Sequence, residues 1–429
     1  MLRKIRKLIF HPNLYFYDYF RKKLGFKKFF VTDKIRLLDS ENHQKWLKVL
    51  FSHPYLYLYY KFNKRLRKPA YPILVDYRIE SIEKSIMGGG KRVVLAIELE
   101  RQNTIFFADP IIVLKALSKK EPNLTRVIYK FNLQGSENKI FIGSSVIFGR
   151  WFKINIIGNN NKLDIKQEVI FKSRSTINLK GDYNDLHIGQ GCTFEPGSKV
   201  NIKGENNCLY AEAKVNFHHM GSLNFVGKNS LSYFCSGVAW RAPATLWEDS
   251  ILLIGELTSI GATKLAWWIS ERKNVLIGSD CLFSWELLFR TADGHLLYDM
   301  ETLKRSNNAK SIVVGDHVWV GYNTFFFKGA SVGNNCMIGS RSIVTNKLPE
   351  NCLCAGVPAT VKRKPITWLK TFALNFDEEK IIEYDIYKKE EESDYKPIGY
   401  AKLLKIDEID PSVSTKEKVQ LIQQIINED

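Results

Sequence analysis

The chain has 429 residues, a formal net charge of +18, and a composition that is 45% hydrophobic and 25% charged, the ordinary balance of a folded soluble protein. That length exceeds one ordinary domain, and no stretch approaches the roughly 18 uninterrupted apolar residues of a membrane span, so no integral membrane segment is expected. The seven cysteines are odd in number and lack a CxxC pair, which points to small core residues rather than a disulfide framework or a metal site.

Residues 1–70 hold 18 Lys/Arg against 4 Asp/Glu, so most of the excess charge lies in the first sixth of the chain. The segment is internally duplicated. His11-Pro12-Asn13-Leu14-Tyr15-Phe16-Tyr17 matches His53-Pro54-Tyr55-Leu56-Tyr57-Leu58-Tyr59, and the basic clusters Arg21-Lys22-Lys23 and Lys64-Arg65 align. Aromatic rings interleaved with cations suit the headgroup zone of an anionic membrane, so a basic, helical region making peripheral contacts is predicted; the alternatives are a grip on an anionic polysaccharide and a basic helical domain whose aromatics form an ordinary core. No nucleic-acid-binding motif accompanies the charge. Leu8 to Phe20 is broken by His11, Pro12, Asn13 and Asp18 and makes no signal-peptide core, which predicts a cytoplasmic protein peripheral to the inner face of the cell membrane.

Residues 71–133 read as a small α/β region, with strands at Pro72–Tyr77, Arg92–Leu99 and Thr104–Phe107 and a helix at Pro110–Lys119. Met87-Gly88-Gly89-Gly90-Lys91 lacks the spacing of a phosphate-binding loop and reads as a turn.

Residues 134–364 carry the main signal. Apolar residues recur in steps of 6, 6 and 11: Ile142, Phe148, Ile154; Ile165, Phe171, Ile177; Ile188, Phe194, Val200; Ala211, Phe217, Leu223. Each set restarts after 23 residues. An Asn standing before apolar-x-Gly keeps the same period, at Asn132, Asn155, Asn178, Asn201 and Asn224. A period of 6 fits short strands joined by corners that each turn the chain by about a third of a circle, so three hexads close a coil. The five surplus residues per coil (Gly-Asn-Asn-Asn, Gly-Asp-Tyr-Asn, Gly-Glu-Asn-Asn) predict one expanded corner, with Asn side chains able to bond from coil to coil. Toward the C-terminus the hexads run without interruption, and slender residues (Val318, Thr324, Ala330, Cys336, Ser342) fall four places after each apolar one. The predicted fold is mainly β, a parallel β-helix flanked by the basic N-terminal region, the α/β region and a C-terminal helical extension.

The ruler breaks once. Ile277, Phe283 and Phe289 keep step, but the next clear hexad begins at Val314, which leaves about 19 surplus residues as a loop containing Asp293-Gly294-His295. From Arg290 to Ala359 the chain then presents, in order, Asp293-Gly294-His295 with Asp299, Arg305-Ser306-Asn307, Ile312 to Gly321, Lys328-Gly329, Ile338 to Thr345 and Ala355-Gly356-Val357-Pro358-Ala359. This series resembles the C-terminal half of hexapeptide-repeat, left-handed parallel β-helix acyltransferases, nearest to bacterial capsule polysaccharide O-acetyltransferases.

The resemblance implies an acetyl-CoA-dependent enzyme that acetylates a hydroxyl of a capsular or other surface polysaccharide. It implies a homotrimer with sites between prisms, and residues 1–70 then become a contact with membrane or capsule assembly. Such a reaction needs a base for the hydroxyl proton, and His295 is the candidate, since an imidazole pKa near about 6.5 suits the task. Asp293 or Asp299 would orient the ring, with Asp293 favoured, and Trp319 would position the acyl group or acceptor. Gly321, Gly339, Ser340 and Lys347 are implied for the CoA arm, and Lys362 or Arg363 for a phosphate. Arg341, Asn346 and Val357 depart from the residues common at those places. The rivals are a non-enzymatic scaffold of polysaccharide assembly, an N-acetyltransferase acting on an amino sugar nucleotide, and a zinc site using His295 and His317. For zinc, Tyr322 and Asn323 stand where a third ligand is needed.

After Lys364 the hexads stop. Residues 365–429 read as an extension in which Ser414 to Glu417 forms a capping box before a helix ending near Asn427, predicted to pack on the core or a neighbouring subunit.

Overall fold

The computed structural model describes residues 35–37, 92–99, 104–107, 126–388 and 395–428, with side chains from Phe131 onward. Short strands follow one another around a three-faced coil, and all but the last pair in parallel with the strand one coil away, giving sheets of 12, 11 and 11 strands among the described residues. We call the faces I, II and III in the order the chain visits them. One coil supplies Asp185–Ile188 to face I, Thr193–Phe194 to face II and Lys199–Lys203 to face III. This is the parallel β-helix expected from the ruler.

Register explains the 23-residue period directly. Ile177 pairs with Ile154 and Val200, and Phe194 with Phe171 and Phe217, so every ruler residue lies above its own copy. Those residues point inward and are buried. Phe148, Phe171, Phe194 and Phe217 stack with centroids 5.5, 4.7 and 4.6 Å apart. The slender residues Val318, Thr324, Ala330, Cys336 and Ser342 are all buried, and so are the seven cysteines.

Two asparagine ladders run along the coils. One lies outside face III, where Asn155, Asn178, Asn201 and Asn224 pass an amide hydrogen bond up the stack at 2.7, 2.7 and 3.1 Å. The other is buried at the III/I corner, where Asn161 and Asn184 donate to the side-chain oxygen one coil below at 2.9 and 3.0 Å and to Gly181 and Gly204 carbonyls at 2.8 and 2.9 Å. These bonds satisfy the backbone of a corner that the 6-residue rule would leave unpaired.

Gly181 shows how tightly that corner is drawn. Its φ is +122°, and a Cβ there would lie 2.1 Å from the Gly204 carbonyl oxygen. Gly181→Ala combines a forbidden backbone with a backbone clash, so a loss of about 2–3 kcal/mol and a lower melting temperature are expected. An unchanged thermal melt would mean that the corner yields without cost.

The strands Arg92–Leu99 and Thr104–Phe107 are present, but they belong to the coil. Arg92–Leu99 pairs in parallel with Arg126–Gln134 on face III, and Thr104–Phe107 with Lys139–Ile142 on face I. The β-helix therefore begins before residue 134, within the range expected to be a separate α/β region. The reason is that its first coils lack the clean ruler. Ile35–Leu37, inside the range expected to be helical, pairs in parallel with Ile105–Phe107. The duplicated aromatic units, strand 72–77, turn 87–91 and helix 110–119 lie outside the described residues.

The C-terminal extension returns over face I. Helices α1 (Glu378–Glu383), α2 (Tyr400–Asp407) and α3 (Thr415–Asn427) follow the last coil, and Ser414 caps α3 by accepting from the Glu417 amide. Ile398, Leu403, Ile406, Val419 and Ile422 form a second core with the outward side chains of face I, among them Leu231, Tyr233, Ile251, Leu253 and Leu276. The expected terminal helix thus packs on its own chain. Among the described residues no helix is long and apolar enough to cross a membrane.

Candidate active site

The surplus residues leave the coil between face III strand Leu288–Arg290 and face I strand Ile312–Val314. The register step there is 37 residues, against 18 for the next coil. The loop springs from the III/I corner, the corner that carries the Asn-rich expansions upstream.

Asn307 organises the loop from a buried position. Its Nδ2 donates to the His295 carbonyl at 2.7 Å and to Asp293 Oδ2 at 2.9 Å, while its Oδ1 accepts from the Leu297 amide at 3.0 Å and from Arg305 Nε at 3.2 Å. Arg305 is tied in turn to Glu271 at 2.8 Å. Lys328, on the III/I corner one coil further on, pairs with Asp293 and donates to the Asn307 carbonyl at 3.2 Å. The loop is therefore braced rather than loose, and His295 stands exposed at its base with Leu296, Leu297, Tyr298, Met300 and Leu303 exposed beside it.

Among the described residues no carboxylate partners His295 as expected. Asp293 is taken by Lys328 and Asn307, and the hydrogen-bonding ammonium of Lys328 holds its carboxyl below the usual carboxylate range. Asp299 caps a turn, accepting from the amides of Glu301 and Thr302 at 3.0 and 2.7 Å and from the Thr302 hydroxyl at 3.0 Å. Among the described residues no side chain bonds the His295 ring; its backbone alone is fixed, through Asn307.

Trp319 lies on face II, half-buried, with its ring 5.8 Å from that of Trp368. His295 and Trp319 thus occupy different sides of one prism. Gly321, Gly339 and Ser340 gather at the II/III corner, where Gly321 and Ser340 touch: a Cβ on Gly321 would meet the Ser340 amide at 2.5 Å. Lys347 starts a face I strand beyond the III/I corner, and Lys362 and Arg363 end the antiparallel strand Ala359–Arg363 that folds back on Leu353–Gly356. All three cations are exposed and make no ion pair among the described residues, so they remain available to phosphates. Lys347 stands away from the Gly321–Ser340 corner, whereas the Lys362 ammonium lies 3.9 Å from where a Cβ on Gly356 would stand, and the Gly356 amide donates to Ser342 Oγ at 3.1 Å beside that corner.

His317 occupies the I/II corner, far round the coil from His295. Its Nδ1 lies 2.7 Å from Asp280 Oδ2, its Nε2 lies 2.9 Å from the Trp368 carbonyl oxygen, and its ring stacks on Trp368 at 4.3 Å. The Trp368 indole donates to the His317 carbonyl at 2.8 Å, and Lys370 pairs with buried Asp280 at 2.6 Å. The two histidines of the zinc alternative therefore sit on different corners, and His317 serves as the clasp of the segment leaving the coil. His317→Ala removes a partner from a carboxylate that is 1% exposed, at a cost of about 1–3 kcal/mol. A lower melting temperature and faster proteolysis near residues 364–370 are expected, and an unchanged digest would remove the clasp role.

Three residues have roles that the sequence alone does not signal. Asn307 and Lys328 fell within motif stretches but gained functions only from the braced loop, and Glu271 lies a coil away in sequence with nothing to single it out.

A three-faced coil of short parallel strands, with one long loop thrown from a corner, defines a parallel β-helix. No protein-family model matches the chain. A polysialic acid O-acetyltransferase of Escherichia coli O1:K1 is 35% identical over 124 residues, which is 29% of this chain and 40% of that protein. A polysialic acid O-acetyltransferase of Neisseria meningitidis is 33% identical over 85 residues, 20% of this chain and 39% of that protein. The solved polySia-specific acetyltransferase NeuO is similar with a TM-score of 0.40 at 26% identity, over 57% of this chain and 94% of that one. The chain spans about two fifths of the length of the curated relatives it matches. The expected resemblance to hexapeptide-repeat acyltransferases and capsule O-acetyltransferases holds.

Proposed function

We propose that this protein is an O-acetyltransferase that moves an acetyl group from acetyl-CoA to a hydroxyl of a bacterial surface polysaccharide, with a sialic-acid-containing glycan as the first acceptor to test. The observation that carries the proposal is the braced Asp293-Gly294-His295 loop on a hexapeptide coil whose sequence relatives are polysaccharide O-acetyltransferases.

His295 takes the acceptor hydroxyl proton as the oxygen attacks the thioester carbonyl. A C–O bond forms, the C–S bond breaks, and the imidazolium returns the proton to the departing thiolate. Asn307 holds the base in place through its backbone, a role suited to a ring presented to solvent. Because Trp319 stands on another face, the complete site requires a neighbouring prism, with His295 from one chain and Trp319 from the next. The homotrimer expected of such coils supplies that arrangement. Gly321, Gly339 and Ser340 would receive the pantetheine arm, and Lys347, Lys362 and Arg363 the phosphates.

The test is release of free thiol from acetyl-CoA by purified protein given sialylated and neutral polysaccharides. Release that needs a glycan supports the reading. No release, together with failure of acetyl-CoA to bind, would leave a scaffold of polysaccharide assembly.

A further inference from the structure

We infer that the outer surface of face III is a binding track for an extended, carboxylate-bearing glycan strand, delivering it to the loop that holds His295. The inference rests on the proposed function for the reaction at the end of the track, but not for binding along it.

The track spans seven consecutive strands, from Lys153–Ile157 to Leu288–Arg290, about 29 Å at the ~4.8 Å spacing of neighbouring strands. Its outward positions carry Lys153, Lys180, Lys199, Lys203 and Arg290 and no acidic residue. Acids stand only at the two adjoining corners, and most are engaged: at II/III, Glu195 pairs with Lys172 and Glu286 accepts from the Lys264 amide, and at III/I, Asp182 accepts from Asn159, Glu248 pairs with Lys228 and Glu271 with Arg305. Such a surface disfavours a second copy of itself, since two cationic faces repel, and favours a polyanion.

The asparagine ladder supplies the hydrogen-bonding surface. Each amide has two N–H donors and an oxygen with two lone pairs, and the ladder uses one of each per rung. Half-buried, it presents a donor and an acceptor at the coils of Asn155, Asn178, Asn201 and Asn224 for the hydroxyls of a sugar chain.

At the loop end the surface changes character. Trp268 is 38% exposed, Trp247 meets it edge-on at 6.0 Å, and the Arg290 guanidinium lies 4.1 Å over the Trp268 ring. Arg290 Nε is buried without a hydrogen-bond partner, and the side chain makes no ion pair among the described residues. A planar cation held by an aromatic ring, five residues before His295, is a receptor for a sugar carboxylate.

The experiment measures binding of an end-labelled sialic acid homopolymer to the full chain by fluorescence anisotropy at low and high salt, with neutral dextran as competitor. The wild type should bind, more weakly as salt rises, and dextran should not compete. The Lys180→Gln/Lys199→Gln/Lys203→Gln variant should bind on the order of tenfold more weakly with a shallower salt dependence, at an unchanged melting temperature. Trp268→Ala should lose affinity that persists at high salt. Variants that bind like the wild type, a wild type that does not bind, or equal competition by dextran would each overturn the track. Thiol release from acetyl-CoA by the wild type is read in parallel. Binding without release would sink the transferase reading and spare the track, and release with unaltered binding by the variants would do the reverse.

Discussion

His295→Ala should lower acetyl transfer by about 10²–10⁴ while leaving the melting temperature where it was. The two halves of that expectation have separate causes. The ring is exposed and bonds to nothing among the described residues, so its removal leaves no buried group unsatisfied. The Asn307 contact is to the His295 backbone and survives the substitution. A rate loss without a stability loss is therefore the signature of a base, and the loss should fall on turnover with every acceptor. A variant that transfers at the wild-type rate would remove His295 from the chemistry whatever its position. Asn307→Ala offers the contrast, since it frees Asp293, His295 and Arg305 together and should cost stability as well as rate.

The second large effect concerns assembly. His295→Ala and Trp319→Ala should each be inactive alone, yet co-expressed together they should regain about a quarter of the wild-type sites by random assortment of a trimer. This follows from the geometry of one prism, where the loop leaves the III/I corner and Trp319 projects from face II. If His295 and Trp319 met within one chain, no mixture could restore a complete pair. Recovery must also depend on co-folding, so mixing the separately purified variants serves as the control. An inactive co-expressed mixture would place both residues in one subunit or take Trp319 out of the reaction.

The legible part of this molecule was what repetition writes into sequence. Inward residues, slender neighbours, expanded Asn corners and the position of the break all follow from stacking one coil on another, and the register step at the break has the surplus that the spacing predicts. The capping box at Ser414 was equally local and equally readable. The partner of His295 was not readable, because a loop's hydrogen bonds depend on residues that return from other coils. Lys328 comes from the next coil and takes Asp293, Asn307 sits fourteen residues after Asp293 and takes both neighbours of Gly294, and Asp299 finds its own turn. The first coils are illegible for the opposite reason, since parallel strands without a clean ruler read like those of any α/β segment.

The helices that roof face I also set an order of events in synthesis. Leu231, Tyr233, Ile251, Leu253 and Leu276 lie in coils that emerge well before α2 and α3, so this strip stays open to water, or to whatever attends the nascent chain, until residues 398–422 arrive. A solenoid can stack coil by coil from any starting point, but this one completes its surface only when its end is made. A ribosome stalled after the last coil would release a prism with one greasy side.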